Sequence, residues 1–310
     1  MSYTKDQQIE MQTYFQSVLD ALDESGADID ENDPGYPDYV LTNSLPDGAY
    51  AEYRPPNPEA PHGRIVVSMQ MLEHSLQTQE PFELVNALVH ERRHFKQDCA
   101  GALDKESLPP PASTRNVVLQ EVDAFTYTAG VIDKLEQDEK TQWLTARENA
   151  PMSMLVLAQM AYGQAKEAGL DPDLTLARTL MYAPEVDFIW EYTNPELLGK
   201  LAHVQAYADG GPQLSSLSKF VWPQNLGKPD SDPGIHEFYR QSRFFEDDEG
   251  NHEWLMKDSF LPGVMGKHAE AFKAILADIQ ETHARISPEL YTKASSENGQ
   301  DDWRNDGGMA

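Results

Sequence analysis

The sequence predicts an α+β protein that is predominantly helical, with one small sheet near its amino-terminal end. Two observations support this prediction. Apolar residues recur at spacings of three and four through most of the chain, as they do on helices with one buried face. Residues 27–63 differ, because they are rich in proline, glycine and aspartate and contain only short extended stretches. With 310 residues, 40% of them hydrophobic, the chain has enough apolar material for a large core.

The predicted sheet follows a first helix over residues 6–24, which Gly26 ends. Turn-forming residues separate three short extended stretches, and the last of these contains the β-branched run Ile65-Val66-Val67. We expect the three stretches to pair as a small antiparallel sheet, with Arg64–Ser68 as an edge strand. The predicted strands cover residues 39–42, 49–53 and 64–68.

Helices are predicted for most of the chain beyond the sheet. Several begin at a proline, which is tolerated in the first turn of a helix. After the break at Pro109–Pro111, Ser113 or Thr114 is expected to cap the next helix. The predicted helices cover residues 69–76, 81–98, 113–137, 151–168, 172–181, 184–192, 195–208, 236–245 and 266–286.

This order of elements predicts three regions. Residues 1–140 contain the sheet and the first long helices, and residues 141–286 form a helical carboxy-terminal region. Residues 287–310 are polar and acidic, which is typical of a disordered tail. Inside the helical region, residues 209–234 are predicted to form a long loop.

Charge and cysteine content narrow the functions to consider. The chain has 52 acidic and 24 basic residues, and its formal net charge is -28. Such a charge repels nucleic acid and anionic membrane surfaces, so neither is expected as a partner. The one cysteine, Cys99, excludes an internal disulfide and a cysteine-rich metal site. No apolar stretch reaches the length of a membrane helix, and the amino terminus does not resemble a secretory signal. We therefore expect a cytoplasmic protein, and export by a route without a cleaved signal is the alternative.

The strongest functional signal is the pentamer His90-Glu91-Arg92-Arg93-His94 in the predicted helix over residues 81–98. His90 and His94 lie one turn apart on the same face, so both imidazoles can bind one metal ion. Glu91 points about 100° away round the helix, where a general base can hydrogen-bond a water molecule beside the metal. Chance would produce such a motif roughly 0.02 times in a chain of this composition, so the pattern favours a zinc site.

A catalytic zinc site usually has three protein ligands, so a third ligand is needed. None of the other histidines follows His94 at a suitable spacing. Glu121, in the next predicted helix, is the better candidate, because a proline-rich turn lets the two helices run antiparallel. Ala124, one turn later, is small enough to permit close approach. The alternatives are that Glu121 is an ordinary exposed carboxylate and that His90 and His94 belong to a surface helix.

This arrangement resembles the zincin metallopeptidases that have a glutamate as third ligand. The pattern Val89-His-Glu-x-Arg-His-x-x-x-Gln, followed by Glu121-x-Asp-Ala, is similar to metallopeptidase-like domains of bacteria whose substrates are unassigned. The resemblance covers residues 64–137. It implies His90, His94 and Glu121 as Zn2+ ligands and Glu91 as the catalytic base of a hydrolase that cleaves peptide bonds with a metal-activated water.

Three further residues are candidates for the surroundings of the metal. Arg93 lies about 60° from His90 round the helix, so it is expected to contact a substrate carboxylate or to pair with an acidic neighbour. Gln97 falls close to the histidine face. Asp123 lies nearly opposite Glu121 on its helix, and Phe125 occupies the place where thermolysin-like enzymes have an aspartate. No residue is therefore assigned to orient a ligand histidine. The sequence does not distinguish which residue would donate a hydrogen bond to a tetrahedral oxyanion. The four candidates are Tyr127, Tyr162, Tyr182 and His203.

A zinc-dependent peptidase is the favoured interpretation. The expected substrate is a protein or peptide that adds as a strand at the sheet edge near residues 64–68. We expect basic or neutral residues around its scissile bond, because a strongly acidic chain attracts cations. One alternative is a non-catalytic zincin-like scaffold or protein-binding module. Another is an all-helical interaction protein in which the motif is accidental.

Overall fold

A computed structural model gives the structure of most of the chain. Within the described stretches the protein is α+β and mostly helical, with one three-stranded sheet, as the sequence predicts. The predicted loop over residues 209–234 and the predicted tail over residues 287–310 lie outside them. The described residues are 3–28, 37–45, 50–58, 60–103, 110–147, 153–182, 188–208, 237–247, 249–257 and 260–286.

The elements follow one another in an order close to the predicted one. The strands are β1 (Asp38–Thr42), β2 (Ala51–Arg54) and β3 (Arg64–Ser68). The helices are α1 (Lys5–Ser25), α2 (Met69–Thr78), α3 (Phe82–Cys99), α4 (Pro110–Gln137), α5 (Met154–Glu167), α6 (Pro172–Tyr182), α7 (Phe188–Ala208), α8 (Glu237–Arg240), α9 (Phe260–Met265) and α10 (Ala269–Ile286). Short 3-10 helices cover Gln142–Thr145, Arg243–Phe245, Glu253–Met256 and Gly266–His268. None of these helices has the length and apolar character that a membrane crossing requires.

The first helix, α1, agrees with its prediction. The Thr4 side chain accepts a hydrogen bond from the Gln7 backbone N–H, and the Gln7 side chain accepts one from the Thr4 backbone N–H. At the other end Gly26 adopts a left-handed φ of +64°. Apolar residues at helical spacing form the buried face: Met11, Phe15, Val18, Leu19 and Leu22.

The sheet differs from the prediction in its pairing. Its strand order is β1-β3-β2, with β1 parallel and β2 antiparallel to β3. The chain reverses direction before β2 and again before β3, so β1 and β3 run the same way. The predicted fully antiparallel sheet and the predicted edge position of Arg64–Ser68 are therefore wrong. The central position of β3 follows from the run Ile65-Val66-Val67, which is buried on both faces of the strand.

The start of α4 also differs from its prediction. The helix begins at Pro110, so Ser113 and Thr114 lie inside it and do not cap it. Two prolines fit here because the backbone N–H groups of the first turn have no partner within the helix. Both Ser113 and Thr114 are buried.

In the carboxy-terminal part, α7 is one helix with Pro195 inside it, where two helices were predicted. A proline inside a helix removes one backbone hydrogen bond, at a cost of about 3 kcal/mol, but it does not stop the helix when packing continues. Ile189 and Leu197, on either side of Pro195, are both buried. The helix predicted over residues 236–245 is shorter, because it ends at Arg240 and a separate 3-10 helix follows.

The chain divides into two compact units. One comprises residues 1–102 and 122–177, and the other comprises residues 103–121 and 178–310. The first contains the sheet and α1, α2, α3 and α5; the second contains α7 to α10. The division passes through the continuous helix α4. Each unit contains residues from both sides of position 140. The division into regions 1–140 and 141–286 stays a prediction.

Tyr53 on β2 attaches the sheet to α3. Its hydroxyl donates a 2.6 Å hydrogen bond to Asp98 Oδ2, and its ring contacts Phe95 edge-on, with 6.0 Å between the ring centroids. Burial, together with the hydrogen bond to Asp98, raises the pKa of Tyr53 well above its usual value, so the hydroxyl stays protonated. Gly63 makes room for this side chain, since a Cβ at position 63 would collide with the Tyr53 hydroxyl.

Replacing Gly63 with alanine should therefore destabilise the protein more than the same change at Gly26. The two glycines have φ angles of +73° and +64°, so either alanine strains the backbone by about 1–3 kcal/mol. Only the alanine at position 63 also displaces Tyr53, because among the described residues nothing lies within 4 Å of a Cβ at Gly26. Urea unfolding of both variants measures the difference. Equal losses in the free energy of unfolding would contradict the close packing of Tyr53 against Gly63.

Candidate metal centre

Helix α3 carries the motif and is buried on nearly all sides. Its buried residues include polar ones as well as a continuous apolar set. His90 is 6% exposed and His94 is 7% exposed, so the alternative of a surface helix is wrong for these two residues. Burial of a polar side chain is costly unless hydrogen bonds or a bound ion compensate for it. Each buried polar residue on α3 therefore needs a partner that compensates for its burial.

His90, His94 and Glu121 come together in one buried group. One potential ligand atom of each lies within 4.8 Å of those of the other two. Nε2 of His90 and Nε2 of His94 are 3.0 Å apart, so the two imidazoles point at the same place. Glu121 is only 5% exposed, which excludes the alternative of an ordinary exposed carboxylate. In the described part of the chain, this is the group of histidine and carboxylate side chains that can hold a metal ion.

The Nδ1 atom of His94 contacts the first of a series of buried, hydrogen-bonded polar side chains. Its Nδ1 lies 2.8 Å from Oε1 of Gln97, and Nε2 of Gln97 donates a 2.8 Å hydrogen bond to Oδ2 of Asp123. Arg93 binds both oxygens of Asp123, with an Nε–Oδ2 distance of 2.6 Å and an Nη2–Oδ1 distance of 2.9 Å. The structure thus brings Gln97, Arg93 and Asp123 together beside the histidines. Arg93 makes the expected acidic pair, but with a fully buried partner instead of a surface residue.

His90 is held by aromatic packing. The Phe125 ring lies edge-on against it, with 4.5 Å between centroids, and the His94 ring is perpendicular to it at 4.6 Å. Phe125 therefore supplies an apolar wall beside His90, and two buried carboxylates, Glu121 and Asp123, lie near the histidines.

Glu91 is not one of the three converging donors. Its Oε2 accepts a 2.7 Å hydrogen bond from the Tyr53 backbone N–H on β2. The backbone carbonyl of Tyr50, just before β2, accepts a hydrogen bond from the Ser68 N–H. In an antiparallel pair, every second residue bonds the neighbouring strand and the residues between them face the other way. Ala51 and Tyr53 therefore direct their peptide groups away from β3. Glu91 consequently meets β2 at its outer edge. The edge strand beside the motif is therefore β2, and the prediction of Arg64–Ser68 as that edge strand is wrong.

Arg92 and Lys96 point to a second polar cluster, centred on Asp28. Arg92 Nη1 lies 2.8 Å from Asp23 Oδ1 and 3.2 Å from Asp28 Oδ2, and Lys96 Nζ donates to the Asp28 backbone oxygen. Tyr127 donates to Asp28 Oδ1 at 3.0 Å. Sequence reasoning missed Asp23 and Asp28, because in so acidic a chain nothing distinguishes two aspartates more than 60 residues before the motif.

The same cluster explains two altered ionisations. Burial raises the pKa of Tyr39 to about 12, although the nearby Arg92 lowers it in part. Burial by itself would lower the pKa of Arg92, but the attraction of Tyr39, Asp28 and Asp23 outweighs it and raises that pKa. Arg92 therefore stays charged, and Tyr39 stays a neutral phenol that accepts from Arg92 Nε.

Two of the four residues considered for an oxyanion contact have other partners. Tyr127 bonds Asp28, and Tyr182 lies against Trp254 with 6.3 Å between ring centroids. Tyr162 is buried, and the side chain of His203 lies outside the described residues.

Comparison of the chain with protein-family models, with curated proteins and with solved structures finds no match in any of the three.

Asp28→Asn should destabilise the protein strongly. It removes the carboxylate from a buried cluster that contains Arg92 and Lys96, and breaking a buried ion pair costs about 3–5 kcal/mol. Asp23→Asn is the matched control, because the Asp23 side chain is 35% exposed and Asp28 remains to pair with Arg92. Urea unfolding should show the larger loss for the Asp28 variant. A loss no greater than that of the Asp23 variant would contradict the central place of Asp28.

Glu121→Gln should weaken binding of divalent zinc. The change keeps the shape of the side chain but removes the charge of a ligand, so affinity should fall by more than the ~10–100-fold that loss of a supporting residue costs. Glu83→Gln is the control: Glu83 is buried to a similar extent on α3, but it bonds the Ser153 hydroxyl at 3.1 Å and is not in the group. Isothermal titration measures both. Equal affinities in the two variants would remove Glu121 from the site.

Proposed function

We propose that the chain is a zinc-dependent peptidase in which His90, His94 and Glu121 hold Zn2+ and Glu91 is the general base. The observation that carries the proposal is the convergence of two imidazoles and a carboxylate, from two different helices, in one buried group. Sets of two histidines and one glutamate are typical of catalytic zinc sites, which keep the fourth position for water or substrate.

The donor chemistry favours zinc over magnesium and calcium. Magnesium and calcium prefer oxygen ligands, whereas two of the three donors here are imidazole nitrogens. Two nitrogens bound to one tetrahedral zinc lie about 3.3 Å apart, for Zn–N distances of about 2.0–2.1 Å. The 3.0 Å separation of the two Nε2 atoms requires only a small adjustment to reach that value.

The chain's own residues supply the proton transfers. A bound zinc ion would act as a Lewis acid on the scissile carbonyl and lower the pKa of a water molecule. Glu91, next to the ligand His90, takes a proton from the attacking water at its carboxylate and passes it to the leaving amine. The Tyr53 N–H holds Glu91 Oε2, which fixes the direction of the carboxylate before the substrate arrives.

The substrate is proposed to be an extended peptide that lies along the outer edge of β2. Ala51 and Tyr53 turn their peptide groups toward that edge. Because the Tyr53 N–H bonds Glu91, the peptide is proposed to pair with the peptide groups of Ala51 beside it. Main-chain pairing with a sheet edge gives affinity without dependence on sequence. The net charge of -28 favours basic or neutral residues near the scissile bond. A cytoplasmic location is part of the same proposal, because a chain with one cysteine suits a reducing compartment.

One observation supports a second candidate, a non-catalytic zincin-like scaffold. Glu91 bonds the main chain of β2, and Glu121 and the two histidines are buried, so a metal could serve only to join α3 and α4. Such a scaffold binds zinc and never cleaves a peptide.

Glu91→Gln should abolish hydrolysis and leave zinc content and folding unchanged. Losing a general base costs about 10²–10⁴ in rate, whereas Gln keeps the carbonyl oxygen that the Tyr53 N–H requires. Turnover is measured on a fluorescence-quenched peptide library that contains basic, neutral and acidic members. Glu83→Gln should retain the parental rate. Equal turnover in the Glu91 variant would remove Glu91 from the mechanism, and a zinc-loaded parent that cleaves nothing would support the scaffold.

A further inference from the structure

A chain of three buried side chains ends at His94. Asp123 Oδ2 accepts from Gln97 Nε2 at 2.8 Å, and Gln97 Oε1 lies 2.8 Å from His94 Nδ1. Asp123 and Gln97 are completely buried, and His94 is 7% exposed. We propose that Asp123, acting through Gln97, sets the tautomer of His94 and thereby makes its Nε2 available to a metal. Asp123 and Gln97 are thus positioning residues. The inference rests on the metal site of the proposed function.

The tautomer of His94 follows from what each of the three side chains can donate or accept. A carboxylate only accepts hydrogen bonds, so the amide nitrogen of Gln97 must face Asp123. The amide oxygen of Gln97 then faces His94, and because it also only accepts, His94 must carry its hydrogen on Nδ1. A neutral imidazole has one such hydrogen. His94 Nε2 is therefore the nitrogen with the lone pair. It lies 3.0 Å from His90 Nε2, which is then the donor of the hydrogen bond between the two rings in the metal-free protein.

Without Asp123 the same geometry would be ambiguous. The oxygen and nitrogen of a glutamine amide occupy nearly the same space, so Gln97 would fit equally well after a half-turn of its amide. In that orientation the amide nitrogen would donate to His94 Nδ1, and the hydrogen would move to Nε2, where it blocks a metal. Arg93 supports the chain from its far end, because its bidentate pair with Asp123 fixes the carboxylate.

Asp123→Asn tests the proposal with a side chain of the same shape. An asparagine can donate to Gln97 Oε1, which permits the reversed amide and a hydrogen on His94 Nε2. The readout is the ring-nitrogen chemical shifts of His94 in metal-free, ¹⁵N-histidine-labelled protein at slightly alkaline pH, assigned by the signals lost in His94→Gln. The parent should show hydrogen on Nδ1, and the Asp123 variant should show a large population with hydrogen on Nε2. Zinc affinity should fall about 10–100-fold.

Two further variants separate the tautomer from stability. Glu83→Gln removes a buried carboxylate of α3 that bonds Ser153 and leaves Arg93, Asp123, Gln97 and His94 in place, so its tautomer and its zinc affinity should be parental. Gln97→Met removes both hydrogen-bonding groups at similar volume, and it should give mixed tautomers even if the Asp123 variant fails to fold.

The outcomes distinguish this inference from the proposed function. Hydrogen on His94 Nε2 in the parent, or a parental tautomer in both the Asp123 and Gln97 variants, would overturn the inference. A loss of zinc affinity in Asp123→Asn with an unchanged tautomer would also overturn it, because the cause would then be the lost ion pair. A parent with hydrogen on Nδ1 that binds no zinc would instead overturn the proposed function and leave the tautomer assignment standing.

Discussion

The structure depends on the burial of a polar helix. Helix α3 lies in the core of its unit, yet it carries two histidines, Arg92, Lys96 and Gln97 among its buried residues. Each of these groups would cost several kcal/mol in an apolar interior without a partner. Aspartates supply the partners: Asp28 from beyond the end of α1 and Asp123 from α4. The position of α3 relative to these elements is fixed by hydrogen bonds of defined direction, which packing alone would not provide.

The contacts that fix the position of α3 also orient the side chains of the candidate metal centre. Because Arg92 and Lys96 hold one side of α3 against Asp28, the opposite residues, His90 and His94, keep a fixed orientation toward Glu121. Such pre-organisation is what a catalytic metal site needs, since ligands and general base must already be in place. Glu91 connects the site to the sheet through β2, so one short helix segment links the metal-binding group, the proposed base and the proposed substrate edge.

Local patterns predicted the fold class, α1 and the pairing of the motif with Glu121, because helical spacing and the chemistry of the donors are local information. The sheet order was not predictable in this way, since the alternatives differ only in which strand lies between the other two. The contact of Asp123 with Gln97 and Arg93 was not predicted, for another reason. A helical projection places it opposite Glu121, but such a projection ignores the length of the Arg93 and Gln97 side chains that reach it. Asp28 lies too far from the motif in sequence to be found by any spacing rule.

The central claim is that one metal ion is held by His90, His94 and Glu121. Anomalous diffraction at the zinc absorption edge, from crystals of the zinc-loaded protein, tests it most directly. One strong peak is expected at about 2.0–2.2 Å from His90 Nε2, His94 Nε2 and an oxygen of Glu121. A fully occupied peak elsewhere in the protein, or none between these three residues at saturating zinc, would contradict it.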